Sequence, residues 1–497
     1  MEFPLFIGGT EILRQPFEGC SPFYSGYRYV LSQASPLDIS HAIGCARQAE
    51  ALTLSKRQEY LYKAAEYFTY GQADLEHAVR MTGMPIACMR TLFEQIPQIF
   101  REVPSILSNR YTHSGLGEIE EFRQGVQKIH TRQEGFCYAI TPGSDPRATA
   151  LVAANLLYLG IPLILRASIK DAAAPLVLRA LLKSGLDPNS CSLIYLNKDD
   201  PQYDQKHYQI LDACSLLWTF GPAESADPNL RYENTGLRAV IDLGASETGI
   251  GSHSLLLKAL ASKTEAELFQ SVQFQEERRD HFTGKQVLRH QAGNCAAVSW
   301  GPFDQETRQW LSDSLSYPGL CMATRSVWLI DAASWLEEAH ACLESWKVGD
   351  PLDPETRVGY IHPRELDRLQ NLVKKNSLYI QCFGGKRLSE RQSVPLLVAA
   401  QEALPDFFAN DIPAYIVAIR NCDRFEDAIQ EMNAGSCDQP RLAVSLLHGP
   451  KEIIDQVIRK IRAHTILINQ PTTRLFPYYH EGNDYELLLS QGRLLIT

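Results

Sequence analysis

The sequence predicts an α/β protein of more than one domain, with helices packed on a parallel sheet. Three observations lead there. At 497 residues the chain exceeds one domain of ordinary size. Its composition, 45% apolar and 21% charged, is that of a globular protein and excludes wholesale disorder. From Gly135 onward, short apolar strands alternate with helix-length segments, the pattern of βαβ crossovers. The charge balance, 48 Lys and Arg against 58 Asp and Glu for a net −10, argues against a nonspecific nucleic-acid binder. Twelve scattered cysteines without a C-x-x-C pair argue against a zinc site or a disulfide scaffold, and fit reduced thiols in a cytoplasmic protein. No basic segment precedes an apolar core at the N-terminus, so no secretory signal is read there. The most apolar run, 150–165, is broken by Asn155, Gly160 and Pro162 and is too short for a membrane span.

In chain order, residues 1–111 alternate short strands with helices. Ser35-Pro36 is a cap followed by proline at the first helical position, and Ser55-Lys56-Arg57-Gln58 reads as a capping box opening the next helix. Residues 112–135 are polar with alternating apolar positions (Ile119, Phe122, Val126, Ile129), which suits a hairpin projecting from the body. A strand reaching Ile140, a Pro/Gly turn and an Ala/Leu-rich helix over 149–159 follow. Next come a strand at 162–166, a helix at 172–184, a strand at 192–196 and a polar loop at 197–207. Such a sheet binds ligands beyond the carboxyl ends of its strands. Residues 252–274 read as an amphipathic helix and 275–285 as a charged run. A helix is expected at 335–347, and an apolar-sided strand over 485–497 needs a partner.

Residues 346–359 read W-K-V-G-D-P-L-D-P-E-T-R-V-G, a turn-rich connector whose Asp-Pro pairs and glycines fix its path. The segment resembles, almost letter for letter, V-G-D-P-x-D-P-x-T-x-V-G of the aldehyde dehydrogenase superfamily. Upstream, Pro318-Gly-Leu-Cys321-Met-Ala-Thr-Arg325 is similar to the family's nucleophile segment, G-Q-x-C-x-A-x-R. Downstream, Phe408-Ala-Asn-Asp411-Ile-Pro resembles the segment whose acidic residue contacts the nicotinamide ribose. The resemblance implies a Rossmann-type cofactor domain (1–111 and 136–288, with an insertion near 247–288) and an α/β catalytic domain (289–470). It also implies a small β oligomerisation arm (112–135 and 471–497).

The resemblance makes Cys321 the nucleophile, since a thiolate is what attacks an aldehyde or thioester carbonyl. Cys295 falls on a buried-strand position and reads as core. The oxyanion formed on attack needs donors, and Ser144 in Thr141-Pro-Gly-Ser-Asp-Pro146 stands where the family has an asparagine. The family's K-P-S-E becomes Arg166-Ala167-Ser168-Ile169, which deletes the carboxylate that holds the adenine ribose, at about 1.5–3 kcal/mol. The same change leaves Arg166 and Lys170 to hold a 2′-phosphate, so NADP is expected over NAD. At the pyrophosphate turn, Thr219-Phe-Gly221-Pro222 keeps the glycine and loses a serine donor. Asp242 lies 21 residues after Gly221, one methylene short of the glutamate that activates water, yet Cys321 follows 79 residues later. Matching the family strand to 289–293 instead leaves no carboxylate at all.

Two function classes follow. The first is an NAD(P)-dependent oxidoreductase acting on an aldehyde or an activated acyl group through a covalent intermediate on Cys321. With Asp242 as base, water releases a carboxylate; without a base, a thiol such as CoA or reduction by NADPH resolves the intermediate, as in acyl-CoA-reducing relatives. The second is a member of the same fold with weak or lost catalysis that serves as a binding or structural subunit. A homodimer or tetramer is expected, because an unpaired apolar strand at 485–497 would be an aggregation hazard.

Overall fold

The computed structural model describes residues 2–14, 16–108, 112–114, 117–123, 126–132, 135–220, 238–243, 288–291, 295–330, 334–409, 412–434, 441–476, 479–480, 483–484 and 490–496. Gly221, Asp411 and the helix expected at 252–274 lie outside these residues, as does the side chain of Asp242.

Two large sheets organise the chain. The first has eight strands in the order Leu288–Gln291, Arg238–Leu243, Leu216–Phe220, Cys137–Ile140, Leu163–Arg166, Cys191–Ile194, Leu5–Ile7 and Thr10–Ile12. All pairings are parallel except those made by the two N-terminal strands. Its central strands, Cys137–Ile140, Leu163–Arg166 and Cys191–Ile194, are mostly apolar and buried because helices cover both faces. Helix Arg147–Tyr158 is buried at every residue, lying beneath helices Ile86–Ser108 and Leu54–Tyr67. The second sheet runs Ile380–Gly384, Leu396–Ala400, Ile416–Cys422, Thr324–Ile330, Cys295–Ser299, Arg441–Leu447 and Ala463–Ile468, parallel apart from its first strand. The expected α/β architecture is therefore present, with one boundary moved. Strand Leu288–Gln291 pairs with Arg238–Leu243 in the first sheet, so the second begins at Cys295 and not at 289.

A four-stranded sheet forms the arm: Thr112–Ser114, Gly117–Arg123, Val126–Arg132 and, antiparallel to the last, Ser490–Ile496. The C-terminal strand thus pairs within its own chain.

Local signals resolve unevenly. Ser35 caps helix Pro36–Gln48 reciprocally with Asp38, as its sequence requires. The second cap differs: helix Leu54–Tyr67 starts one residue before Ser55, with Thr53 at the cap position and no side-chain cap bond. The polar run 197–207 is not all loop either. Helix Tyr203–Ala213 begins within it, burying Lys206 against Asp200 (2.5 Å) and His207 against the Tyr138 hydroxyl (3.0 Å). Polar residues enter a helix interior when such partners satisfy them. Helix Trp335–Glu344 ends three residues earlier than its pattern suggests.

Candidate active site

Cys321 lies in the bend between helix Gln305–Leu315 and strand Thr324–Ile330. The bend is pinned by two turns, Leu320 N to Tyr317 O (3.0 Å) and Ala323 N to Leu320 O (3.1 Å). The buried Arg325, last residue of the C-x-A-x-R pattern, closes it from below. Its guanidinium donates to the carbonyls of Pro318 (2.7 Å) and Ala414 (3.1 Å), with a longer contact to Leu320 (3.5 Å). Arg325 therefore ties the Cys321 bend to the 412–414 segment. Thr472 reinforces it, donating to the Met322 carbonyl (2.5 Å) and meeting the Thr324 hydroxyl (2.8 Å). Cys321 is half-buried on a bed that includes Met322, Leu467, Leu475 and Phe476. Cys295 is fully buried beneath it, its thiol donating to the Cys321 carbonyl at 3.6 Å.

The turn after strand Cys137–Ile140 approaches this bend. A side chain added at Gly319 would start 3.8 Å from Ser144 Cβ, so Ser144 packs close to the bend that carries Cys321. Gly143 is there for close approach: a Cβ would sit 2.4 Å from both Lys170 Cβ and Ser168 Oγ. The 142–146 turn and the 168–170 loop are thereby pressed together.

Two cavities meet at that contact. One, of about 460 Å³, opens at the carboxyl ends of the parallel strands, between Ile140, Arg166, Ile169 and Leu196 and the N-terminal strands carrying Phe17 and Tyr29. The other, of about 550 Å³, runs past Gly143, Ser144, Lys170, Pro318 and Gly319 toward His362. Ser168 borders both. Arg166 and Lys170 therefore open onto different cavities. Arg166 is further engaged: its guanidinium lies 5.1 Å over the Tyr203 ring and hydrogen-bonds with the Tyr138 and Tyr203 hydroxyls. A joint grip by Arg166 and Lys170 on one phosphate is not assembled.

The backbone of Asp242 pairs with Phe220 on one side and His290 on the other, at the carboxyl end of its strand. Sequence reasoning missed Asp145 and Arg147. Their side chains form an ion pair (2.8 Å) between the buried Arg147 and the partly buried Asp145 next to Ser144, and the only trace in the sequence is a charge opening an otherwise uncharged helix.

Comparison with known proteins agrees with this geometry. Residues 319–482 match the aldehyde dehydrogenase family. No curated protein matches the chain in sequence. Among solved structures, an NAD-dependent aldehyde dehydrogenase from Sinorhizobium meliloti is similar over 100% of this chain and 94% of its own, at 14% identity and a TM-score of 0.75. Aldehyde dehydrogenase 21 from Physcomitrella patens, in complex with the reaction product succinate, is similar over 100% and 98%, at 13% identity and a TM-score of 0.73. An NADP dependent enzyme from E. coli is similar over 99% and 98%, at 13% identity and a TM-score of 0.74. Likeness at such identity speaks for the fold. Residues 319–482 carry the sequence pattern of the aldehyde dehydrogenase family, and the whole chain has the fold of aldehyde dehydrogenases. Among the described residues, no helix is long and apolar enough to cross a membrane.

Proposed function

We propose that the chain is an NAD(P)-dependent oxidoreductase that acts on an aldehyde or an activated acyl group through a covalent intermediate on Cys321. The observation that carries this reading is the convergence of the Cys321 bend, Ser144 and two cavities joined at Ser168. A dinucleotide fits that layout. The apolar walls of the first cavity suit an adenine, Arg166 and Ser168 stand at the strand ends, and the second cavity leads to the nucleophile bend. Two of the structural neighbours are described as NAD-dependent and NADP dependent, which supports either dinucleotide here.

Bound there, the nicotinamide ring would supply a hydride acceptor in oxidation or a hydride donor in reduction. The chain's own residues supply the rest. Cys321 as thiolate adds to the substrate carbonyl, forming the C–S bond while the carbonyl π electrons move to oxygen. The Ser144 hydroxyl, on the opposite wall from the bend, donates to that developing oxyanion. Loss of hydride from the thiohemiacetal carbon leaves a thioester on Cys321. Water, activated by Asp242, or a thiol such as CoA then takes the acyl group and returns the thiol.

Turnover is measured with a panel of aldehydes and acyl-CoA thioesters, following reduced nicotinamide by absorbance. Wild type should be active with NAD or NADP, and Cys321→Ser inactive with cofactor binding intact. Retained turnover in that variant, with Cys295→Ser inactive instead, refutes the assignment. A chain that binds no dinucleotide in a thermal-shift titration supports the binding-subunit reading.

A further inference from the structure

Helix Arg147–Tyr158 carries one charged side chain, and it is enclosed: Arg147 is 1% exposed. A cation in the first turn opposes the helix dipole. Burying it is costly unless its hydrogen bonds are nearly complete. The structure supplies them. Asp145 accepts Nε at 2.9 Å and Nη2 at 2.8 Å, and Nη1 donates to Gln95 Oε1 at 2.7 Å. The remaining contact is with the 471–476 loop, where Nη1 reaches the Thr473 carbonyl at 3.5 Å.

That loop is what surrounds the nucleophile. Thr472 holds the Met322 carbonyl and Thr324, the Thr473 hydroxyl donates to the Asp313 carbonyl (3.1 Å), and Leu475 and Phe476 form part of the bed under Cys321. Arg147 thus joins three pieces: the turn bearing Ser144, helix Ile86–Ser108 through Gln95, and the loop behind the thiol. It is also near enough to Cys321 for their charges to interact. Other described charges around the bend include Asp145, which Arg147 binds, Arg325, bound to backbone carbonyls, Asp313, and Lys170, which shares the second cavity with Pro318 and Gly319.

We propose that Arg147 is a positioning residue for the nucleophile: bonded to Asp145 and Gln95, it clamps the turn bearing Ser144 to helix Ile86–Ser108, touches the 471–476 loop and holds a positive charge within reach of Cys321. The role rests on the reading of Cys321 given above.

The test uses the full chain and iodoacetamide, with the alkylation rates of Cys321, Cys295, Cys88 and the exposed Cys20 read by peptide mass spectrometry at neutral pH. A double variant, Asp145→Asn with Arg147→Met, removes the pair without stranding a buried charge. Arg147→Lys keeps the charge. Thiol alkylation follows thiolate fraction and access, about tenfold per unit of thiol pKa, so Cys321 should slow by about tenfold in the double variant. Cys295 and Cys88 should stay protected, and Arg147→Lys should recover most of the rate. Alkylation of Cys321 at the wild-type rate in the double variant overturns the clamp alone. Exposure of Cys295 and Cys88 in both variants also overturns it, because Arg147 then merely holds the fold together. A wild-type Cys321 no faster than Cys20 overturns the oxidoreductase reading and this role with it.

Discussion

Arg325→Met tests whether the nucleophile bend is held by the bonds the structure assigns to it. Methionine keeps roughly the arginine stem's volume but removes every donor. Two bonds of good length, to Pro318 at 2.7 Å and Ala414 at 3.1 Å, are lost from a side chain that is 2% exposed. A hydrogen bond involving a charged group contributes about 1.5–3 kcal/mol, so the two together give roughly 3–6 kcal/mol. The 3.5 Å contact to Leu320 is too long to add much. For a domain of 150–250 residues, about 2–4 °C per kcal/mol places the shift in melting temperature between about 6 and 24 °C. Tryptophan fluorescence reports on the same half of the chain, since Trp328 is buried in the strand that follows Arg325. Arg325→Lys can still reach one carbonyl and should fall between wild type and Arg325→Met. A shift under about 2 °C for Arg325→Met would show that these carbonyls do not depend on the guanidinium, and the account of the bend would fail.

Three further outcomes are expected. Tyr203→Phe removes a hydroxyl that engages Arg166, releasing an N–H at the first cavity; fluorescence titration should show NADP affinity rising relative to NAD, and an unchanged ratio counts against it. Burial pushes the Asp171 carboxyl up to about 7, against the hydrogen bonds it accepts from Thr149, Ala173 and Ala174, which pull the other way. The folded state therefore holds this proton more tightly than the unfolded one. The stability this gives is complete below about pH 4 and lost as pH rises through about 7, so Asp171→Asn should flatten that limb of the pH–melting curve; superimposable curves would refute it. Removing residues 483–497 takes away strand Ser490–Ile496 and leaves Val126–Arg132 with an open edge; light scattering should show aggregation or a changed assembly, and a truncated chain that behaves as the full one would be evidence against a role for that strand.

The sequence was legible wherever local chemistry and tertiary packing ask for the same residues. Ser35, Pro36 and Asp38 cap a helix because side chain and backbone exchange bonds within four residues. The apolar runs around 137, 163 and 191 become central parallel strands because both faces are covered. What could not be read depends on partners distant in the chain. Lys206 and His207 look like loop residues until Asp200 and Tyr138 are seen beside them. Arg166 and Lys170 are four residues apart, yet a bend in the backbone turns them to different cavities. The Asp145–Arg147 pair acquires meaning only from Gln95 and Thr473, 52 and 326 positions away from Arg147.

The segment with the clearest family resemblance, 346–359, makes contacts that account for its glycines and Asp-Pro pairs. It is a joint. Ile86 N donates to the Pro351 carbonyl (2.8 Å), and Tyr360 N, one residue past the segment, to the Gly83 carbonyl (2.8 Å), both links to the first core. Gly359 N donates to the buried Tyr415 hydroxyl of the second (3.0 Å). Gly359 tolerates no side chain, since a Cβ would lie 2.2 Å from the Gly83 carbonyl oxygen, which is backbone and has nowhere to go. Asp350 is tied twice more, to Leu352 N (3.0 Å) and to the Tyr24 hydroxyl. Such contacts fix residue identity through geometry, whatever molecule the protein handles. The turns around Ser144, Ser168 and Lys170 face cavities instead, where a changed side chain alters what is bound without colliding with the backbone. A side chain placed on Gly359 should therefore cost folding, whereas a substitution at Ser144 or Lys170 should be read first in what the cavities bind.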